Sequence, residues 1–256
     1  MRIAITREVS PSMGKCELTF LERVEIDIDL ARTQHSGYKR ALAELGCKVV
    51  SLLAEETLPD SVFVEDAAVV LDEVAIITRP GAESRRPETR SVAQALEPYR
   101  ELVTIEAPGT VDGGDILRIG KKVYVGSSSR SNSSGIAQMA AALAPFGYQV
   151  LPVPVHGCLH LKSAVTQVGE ETLLINREWV DLDHFAGCRW IEVDLREPDG
   201  ANALFVGVGI LYSASHPRTR ERLDALGTRI VSVDVSEMEK AEGAVTCCSL
   251  IFESEG

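Results

Sequence analysis

Pairs of short apolar runs separated by polar turns recur along the chain. In one clear case, the run 66–71 (DAAVVL) is followed by the polar pair Asp72-Glu73 and a second run at 74–78 (VAIIT). Short runs rich in valine and isoleucine, bounded by polar residues, predict two buried β-strands joined as a hairpin. Five such hairpins are predicted, and they begin near Glu65-Asp66, Gly114-Asp115, Lys162-Ser163, Ala201-Asn202 and Thr246-Cys247.

Helical sequence and one further apolar run follow the hairpins. Helices are predicted at 29–45, after Arg86-Pro87-Glu88, at 136–143, after Asp181 and at 217–226. Closing strands are predicted at 48–53, 102–105, 149–153, 190–193 and 229–233. The last hairpin has to use residues 2–6 as its second strand, so the N- and C-terminal segments complete one module. Such a closure removes exposed strand edges.

The spacing of the hairpins predicts the fold class. Their starting points lie roughly 40 to 50 residues apart, which is typical of repeat or propeller architectures. We therefore predict an α/β fold of ββαβ modules, forming a single domain over residues 1–256, in which the leading edges of the hairpins converge on one axis. An open α/β sheet with accidental spacing is the alternative. No glycine-rich phosphate loop follows a strand, so the sequence predicts no nucleotide site.

Composition narrows the possible partners. The formal net charge of −12 disfavours nucleic acids and anionic membranes, which require basic patches. It is compatible with a small cationic substrate, although solubility alone also explains an acidic surface. The chain begins with strand-like rather than signal-like sequence, and its six cysteines show no zinc-binding spacing. We expect a cytoplasmic protein with free thiols, no metal and no cofactor, existing as a monomer or homodimer.

Several residues at the leading edges could carry chemistry. Cys247 and Cys248 begin the predicted last strand, where alternation would turn only one of them toward the axis. His160 enters the fourth module and could act with a cysteine, with His156 as its rival. Either carboxylate of the turn Asp112-Gly113-Gly114-Asp115 could orient an imidazole.

Acids and arginines flank the same edges. Asp60, Glu65 and Asp66 approach the second module, and buried carboxylates next to apolar strands need a cation, which a guanidinium could supply. Arg85 and Arg130 lie in loops beyond second strands, where they could hold a carboxylate or remain solvated.

Taken together, these segments resemble the dimethylarginine dimethylaminohydrolases of the guanidino-modifying (pentein) superfamily. The resemblance is carried by 56–66 (ETLPDSVFVED), 77–86 (ITRPGAESRR), 112–115 (DGGD), 125–126 (VG), 130–132 (RSN), 159–163 (LHLKS) and 246–249 (TCCS). It implies a five-bladed α/β propeller with its site on the central axis. It also implies hydrolysis of Nω-methylated arginine to citrulline and methylamine or dimethylamine through a covalent cysteine thiouronium, without a cofactor.

The resemblance also implies roles for individual residues. Cys247 matches the nucleophile, His160 the general acid and base, and Asp112 its orienting partner. The positions that match substrate-binding residues are Asp66 and Glu65 for the guanidinium, Asp60, Arg85 and Arg130 for the amino-acid end, and Leu18 and Glu242 at the pocket. Asn202 is assigned no role.

Three departures leave alternatives open. The segment 14–27, expected to form a lid, differs from the family pattern, and Glu242 stands where an aspartate is common. Lys162 occupies the position at which arginine deiminases carry an acid, which favours a methylarginine hydrolase. The alternatives are a hydrolase of arginine or of another substituted guanidine, and a guanidine-binding protein without activity.

Overall fold

Five three-stranded sheets make up the protein, and the computed structural model describes residues 1–254. The strands are β1 (Arg2–Arg7), β2 (Lys48–Leu52), β3 (Ala68–Val70), β4 (Val74–Ile77), β5 (Glu101–Thr104), β6 (Ile116–Ile119), β7 (Lys122–Ser127), β8 (Gln149–Pro154), β9 (Val165–Gly169), β10 (Thr172–Ile175), β11 (Arg189–Glu192), β12 (Ala203–Phe205), β13 (Ile210–Ser213), β14 (Ile230–Val233) and β15 (Leu250–Glu253).

All five sheets have the same topology. Module one has the strand order β15-β1-β2, and modules two to five have the orders β3-β4-β5, β6-β7-β8, β9-β10-β11 and β12-β13-β14. In each sheet the first strand is antiparallel to the middle strand. The third strand is parallel to the middle strand, as a helical crossover requires. The predicted ββαβ modules and their number are confirmed.

Helical segments link the middle and closing strands. The helices in these links are α1 (Ile28–Glu44), α2 (Thr89–Leu96), α3 (Ser133–Leu143) and α5 (Pro217–Asp224). Two further short helices, α4 (Leu161–Ala164) and α6 (Ser236–Glu239), instead precede the first strands of modules four and one. The prediction of a helix after Asp181 is wrong beyond one 3-10 turn, Leu182–Phe185. The connection from β10 to β11, residues 176–188, is the shortest of the five between middle and closing strands, and Gly187 with a φ of 95° turns the chain just before β11. Within residues 1–254, no helix is long and apolar enough to cross a membrane.

The first and last strands lie side by side in module one. Strand β1 pairs with β15 along one edge and with β2 along the other, with Arg2 opposite Glu253. The prediction that the last strand begins at Cys247 is wrong, because residues 245–248 form a turn and β15 begins only at Leu250. An apolar run by itself does not distinguish a buried turn from a strand.

A short helical turn precedes each hairpin. These turns are Val64–Ala67, Gly113–Asp115, α4, Pro198–Ala201 and the turn at 245–248. Neighbouring turns contact one another, and so do the first strands of neighbouring sheets, such as β9 with β12 and β15 with β3. The leading edges of the five modules therefore meet around one axis.

Candidate functional site

His160 lies where modules two, three and four meet. It precedes α4, is 4% exposed, and its Nε2 atom lies 3.1 Å from Asp112 Oδ2. Its Nδ1 atom lies 4.0 Å from Asp66 Oδ1. Gly114 makes this approach possible, because a Cβ atom there would lie 2.5 Å from His160 Nδ1 and 2.8 Å from Asp66 Oδ1.

Carboxylates surround the imidazole and decide its charge. Burial alone would lower the pKa of His160, but Asp66, Asp112 and Asp115 outweigh it and raise the pKa to about 9. His160 is therefore an imidazolium at neutral pH and can donate a proton. The rival, His156, is exposed and lacks such surroundings.

The orienting acids are themselves held in place. Asp112 Oδ1 accepts a hydrogen bond of 2.8 Å from Gly81 N. Asp115 accepts hydrogen bonds from the hydroxyls of Ser128 and Ser131 at 2.6 Å and from Leu161 N at 2.9 Å. Burial nevertheless raises the pKa of Asp115 to about 6. Asp112 is thus the direct partner of the imidazole, whereas Asp115 ties module three to the first residue of α4.

Arg85 and Asp66 form a buried ion pair at 2.6 Å. The remaining donors of Arg85 bond to the Glu88 carboxylate and to two backbone carbonyls. Burial would raise the pKa of Asp66, but His160 and Arg85 hold it well below its ordinary value. His160 and Arg85 therefore keep Asp66 ionised, and each nitrogen of the Arg85 guanidinium already bonds to a protein group.

Cys247 lies in the turn before β15 and is 8% exposed. Asn202 fixes this turn: its Oδ1 accepts from Thr246 N and its Nδ2 donates to Thr246 Oγ1, both at 3.0 Å. Burial, then the charges of Glu65 and Asp66, raise the pKa of the Cys247 thiol to about 12. Cys248 is 1% exposed and its thiol points to Ala244 O, 3.6 Å away. Asn202, to which the sequence assigned no role, thus positions the residue before Cys247.

Glu65 and Asp66 point in different directions although they are adjacent in sequence. The Glu65 carboxylate forms a salt bridge with Lys162 and accepts a hydrogen bond of 2.9 Å from Thr246 Oγ1. Together with Lys162 it lines neighbouring cavities outside the one that contains Cys247. Burial raises its pKa. Of the two acids predicted to bind a guanidinium, only Asp66 therefore lines the cavity that contains Cys247, whereas Glu65 connects the turns of modules two, four and one.

The cavity that contains Cys247 is small and closed by the predicted lid. Cys247, His160 and Asp66 line it together with Asp60 and Arg130, and its volume is about 10 Å³. Asp60 accepts a hydrogen bond of 3.1 Å from the backbone of Glu17 in the lid. Arg130 donates to Thr19 Oγ1 at 3.0 Å through Nη2, whereas its buried Nη1 has no hydrogen-bond partner. A buried cationic donor without a partner is a strong indication of a site for an anionic ligand group.

Glu242 holds the lid from the other side. Its carboxylate accepts hydrogen bonds from the backbone of Thr19 at 3.0 Å, Phe20 at 2.5 Å and Leu21 at 2.6 Å. Its backbone has a φ of 56°, a conformation that non-glycine residues rarely adopt. Leu18, predicted to contact the substrate, packs against the apolar cluster of module one. The lid segment 17–21 is therefore held by Asp60 and Arg130, which were predicted to bind the amino-acid end of a substrate, and by Glu242, which was predicted to lie next to the pocket.

Asp66, Asp112 and His160 are close enough to share a metal ion, with donor atoms within 4.8 Å of one another. However, Asp66 Oδ2 is already bonded to Arg85, and His160 Nε2 is engaged with Asp112. We interpret the cluster as a network of charges around an imidazolium and assign it no metal.

Comparison with known proteins identifies similar proteins over the whole chain. Residues 17–184 match the family described as "N,N dimethylarginine dimethylhydrolase, eukaryotic". The N(G),N(G)-dimethylarginine dimethylaminohydrolase of Streptomyces coelicolor is 42% identical over 249 residues, which cover 96% of this chain and 95% of that protein.

Two solved structures are similar in both fold and sequence. A cysteine-to-serine mutant of the Pseudomonas aeruginosa enzyme, complexed with citrulline, superposes with a TM-score of 0.94 at 37% identity and covers 97% of this chain and 98% of its own. A dimethylarginine dimethylaminohydrolase adduct with S-methyl-L-thiocitrulline also gives a TM-score of 0.94 at 37% identity, with 98% and 100% covered.

Proposed function

Because the chain belongs to the N,N-dimethylarginine dimethylhydrolase family, we propose that it hydrolyses Nω-methylated arginine to citrulline and methylamine or dimethylamine. One observation carries this proposal: a buried thiol, an imidazolium and an ionised aspartate converge in one closed cavity. Cys247, His160 and Asp66 line that cavity, and its rim holds the unpartnered Nη1 of Arg130. A nucleophile, a proton donor and two ends of opposite charge match an arginine-like molecule.

The charges define how the substrate binds. Asp66 pairs with the guanidinium, Arg130 Nη1 donates to the substrate carboxylate, and Asp60 accepts from the α-ammonium group. Burial raises the pKa of Asp60, and an incoming ammonium group opposes that shift. Since Asp60 and Arg130 are bonded to lid residues, the lid has to move before the substrate can take over these contacts.

The reaction then proceeds in two halves. The Cys247 thiolate attacks the guanidinium carbon, and the C–N bond to the methylated nitrogen breaks as His160 protonates it. The neutral amine leaves and a thiouronium cation remains on the enzyme. Neutral His160 next takes a proton from water, whose oxygen attacks the same carbon. The C–S bond breaks, citrulline forms and the thiol is regenerated.

The same charges explain why the Cys247 thiolate forms when the substrate binds. Burial, together with the charges of Glu65 and Asp66, raises the pKa of the Cys247 thiol in the free enzyme. The cationic guanidinium offsets these charges when it binds, and the thiol then releases its proton to solvent. Nucleophile activation is therefore coupled to binding of a cation.

The proposal is tested by incubating the protein with arginine, monomethylarginine and asymmetric dimethylarginine, and by measuring citrulline and the released amine. We expect both methylated substrates to be hydrolysed and arginine to be hydrolysed far more slowly. Faster release of ammonia from arginine would identify an arginine hydrolase instead. No citrulline from any substrate, together with tight binding, would identify a guanidine-binding protein.

A further inference from the structure

A second, larger cavity lies beside the catalytic cavity, between modules four and five. Its volume is about 240 Å³, against about 10 Å³ for the cavity that contains Cys247. Leu159, Glu242 and Gly243 line both cavities, so the two share a wall. Ser163 and Asn202, from the leading edges of modules four and five, line the larger one.

The shared wall lies next to the reacting groups. Leu159 immediately precedes His160, and Asn202 bonds to Thr246, the residue before Cys247. Asp60 and Arg130, which receive the amino-acid end in the proposed function, come from modules two and three on the other side of the axis. An arginine bound in that direction therefore turns the substituted end of its guanidinium toward modules four and five.

The lining of the larger cavity suits an alkylated amine. The Trp179 ring and the side chains of Leu159 and Ala244 supply apolar surface. The carboxylate of Glu239 supplies a fixed negative charge, held by the hydroxyls of Ser213 at 2.6 Å and Ser215 at 2.7 Å. An aromatic ring and a carboxylate that line the same cavity complement a methylated ammonium group, which is both cationic and apolar.

We infer, resting on the proposed function, that this cavity is an amine-side subsite. It receives the Nω-substituent of the bound guanidinium and then the amine that leaves when the C–N bond breaks. A neutral amine that gains a proton there remains paired with Glu239 until it reaches solvent. The volume of the cavity is several times the roughly 30 Å³ share of one water molecule, so substituents longer than methyl should enter it.

The two tryptophans of the chain allow a direct binding test. Trp179 lines the cavity, whereas Trp190 lies on β11 and is 46% exposed. The variant C247S/W190F keeps Trp179 as its only tryptophan and blocks turnover; C247S/W179F is the matched control. Titration with Nω-propylarginine should change the Trp179 emission saturably and by more than arginine does, and should leave the control unchanged. Arginine has the same amino-acid end and lacks only the propyl group, so any change in emission that it causes reports movement of the lid rather than occupation of the larger cavity.

Kinetics separate failure of this inference from failure of the proposed function. Wild-type protein should hydrolyse Nω-propylarginine with a kcat/KM within about a hundredfold of that for monomethylarginine, because even one methylene in an apolar pocket changes this constant by roughly 10- to 200-fold. If the protein produced no citrulline from monomethylarginine, both the proposed function and the amine-side subsite would be overturned. Turnover of monomethylarginine with exclusion of Nω-propylarginine, or binding of Nω-propylarginine without a change at Trp179, would overturn the amine-side subsite alone.

Discussion

At the scale of single residues, the charge on His160 governs the expected pH dependence. Its pKa is raised to about 9, so the imidazolium needed to protonate the leaving amine is present below that pH and is lost as the pH rises through it. We expect the rate of monomethylarginine hydrolysis to fall through this range, as a pH–rate profile would record. Asp112→Asn removes a charge that favours the imidazolium and should move the falling limb to lower pH. An unmoved limb would contradict the assignment of His160.

The two adjacent cysteines should differ sharply in reactivity. A cationic reagent, 2-chloroacetamidine, should alkylate Cys247 at pH 7 much faster than neutral 2-chloroacetamide, because its charge opposes those of Glu65 and Asp66. Labelling is read by mass spectrometry of peptides. Cys247→Ser should abolish the labelling and lower turnover at least about a thousandfold. Cys248→Ser is the matched control and should retain both labelling and turnover. Loss of both in Cys248→Ser but not in Cys247→Ser would identify Cys248 as the nucleophile.

Residue types and their order allowed much of the site to be predicted. Cys247, His160 and Asp66 line one cavity, and Asp112 contacts His160, because each lies at the start of a repeat whose start faces the axis. The direction of Glu65 could not be predicted in this way. In a 3-10 turn, consecutive side chains point about 120° apart, so Glu65 and Asp66 reach different neighbours.

At the scale of elements, Glu242 links the lid to the rest of the site. Glu242→Gln should weaken the hydrogen bonds from Thr19, Phe20 and Leu21, because a neutral acceptor binds amides less strongly than a carboxylate. We expect hydrogen exchange at these amides to become faster by roughly tenfold, measured by mass spectrometry.

An acid elsewhere in the lid supplies the control for this prediction. Glu22 is exposed, and Glu22→Gln should leave exchange in the lid unchanged. Equal exchange in Glu242→Gln and wild-type protein would show that other contacts hold the lid closed.

Strands were predicted more accurately than turns. The alternation of apolar runs and polar turns located the closing strands to within one or two residues, because each is a buried run with clear ends. The turn at 245–248 carries the same apolar composition as a strand, and its shape depends on contacts from distant residues. Tyr38 of α1 donates a hydrogen bond of 2.8 Å to Val245 O and bonds to Ser249 Oγ at 2.7 Å. A local pattern does not contain such contacts.

At the scale of the whole molecule, the closure of module one predicts tolerance to circular permutation. The amino group of Met1 lies 2.7 Å from Ser254 O, so a short linker can join the two ends. A new opening between Gly207 and Val208, in the turn from β12 to β13, leaves every strand intact. We expect this permutant to melt cooperatively and to produce citrulline from monomethylarginine.

Deletion of residues 250–256 is the matched control for the permutant. It removes β15 and exposes an edge of β1, so we expect it to abolish cooperative folding. A permutant that fails to fold, or a truncated chain that melts like the wild type, would contradict the structural importance of this closure.

The contacts of the lid have a consequence for where the substrate comes from. Asp60 and Arg130 are available only to a molecule that brings a free ammonium group and a free carboxylate to replace the lid residues. A methylated arginine inside a polypeptide has neither group, because both are part of peptide bonds. Under the proposed function, methylated arginine within an intact protein is therefore not a substrate, and the protein acts only on the free amino acid.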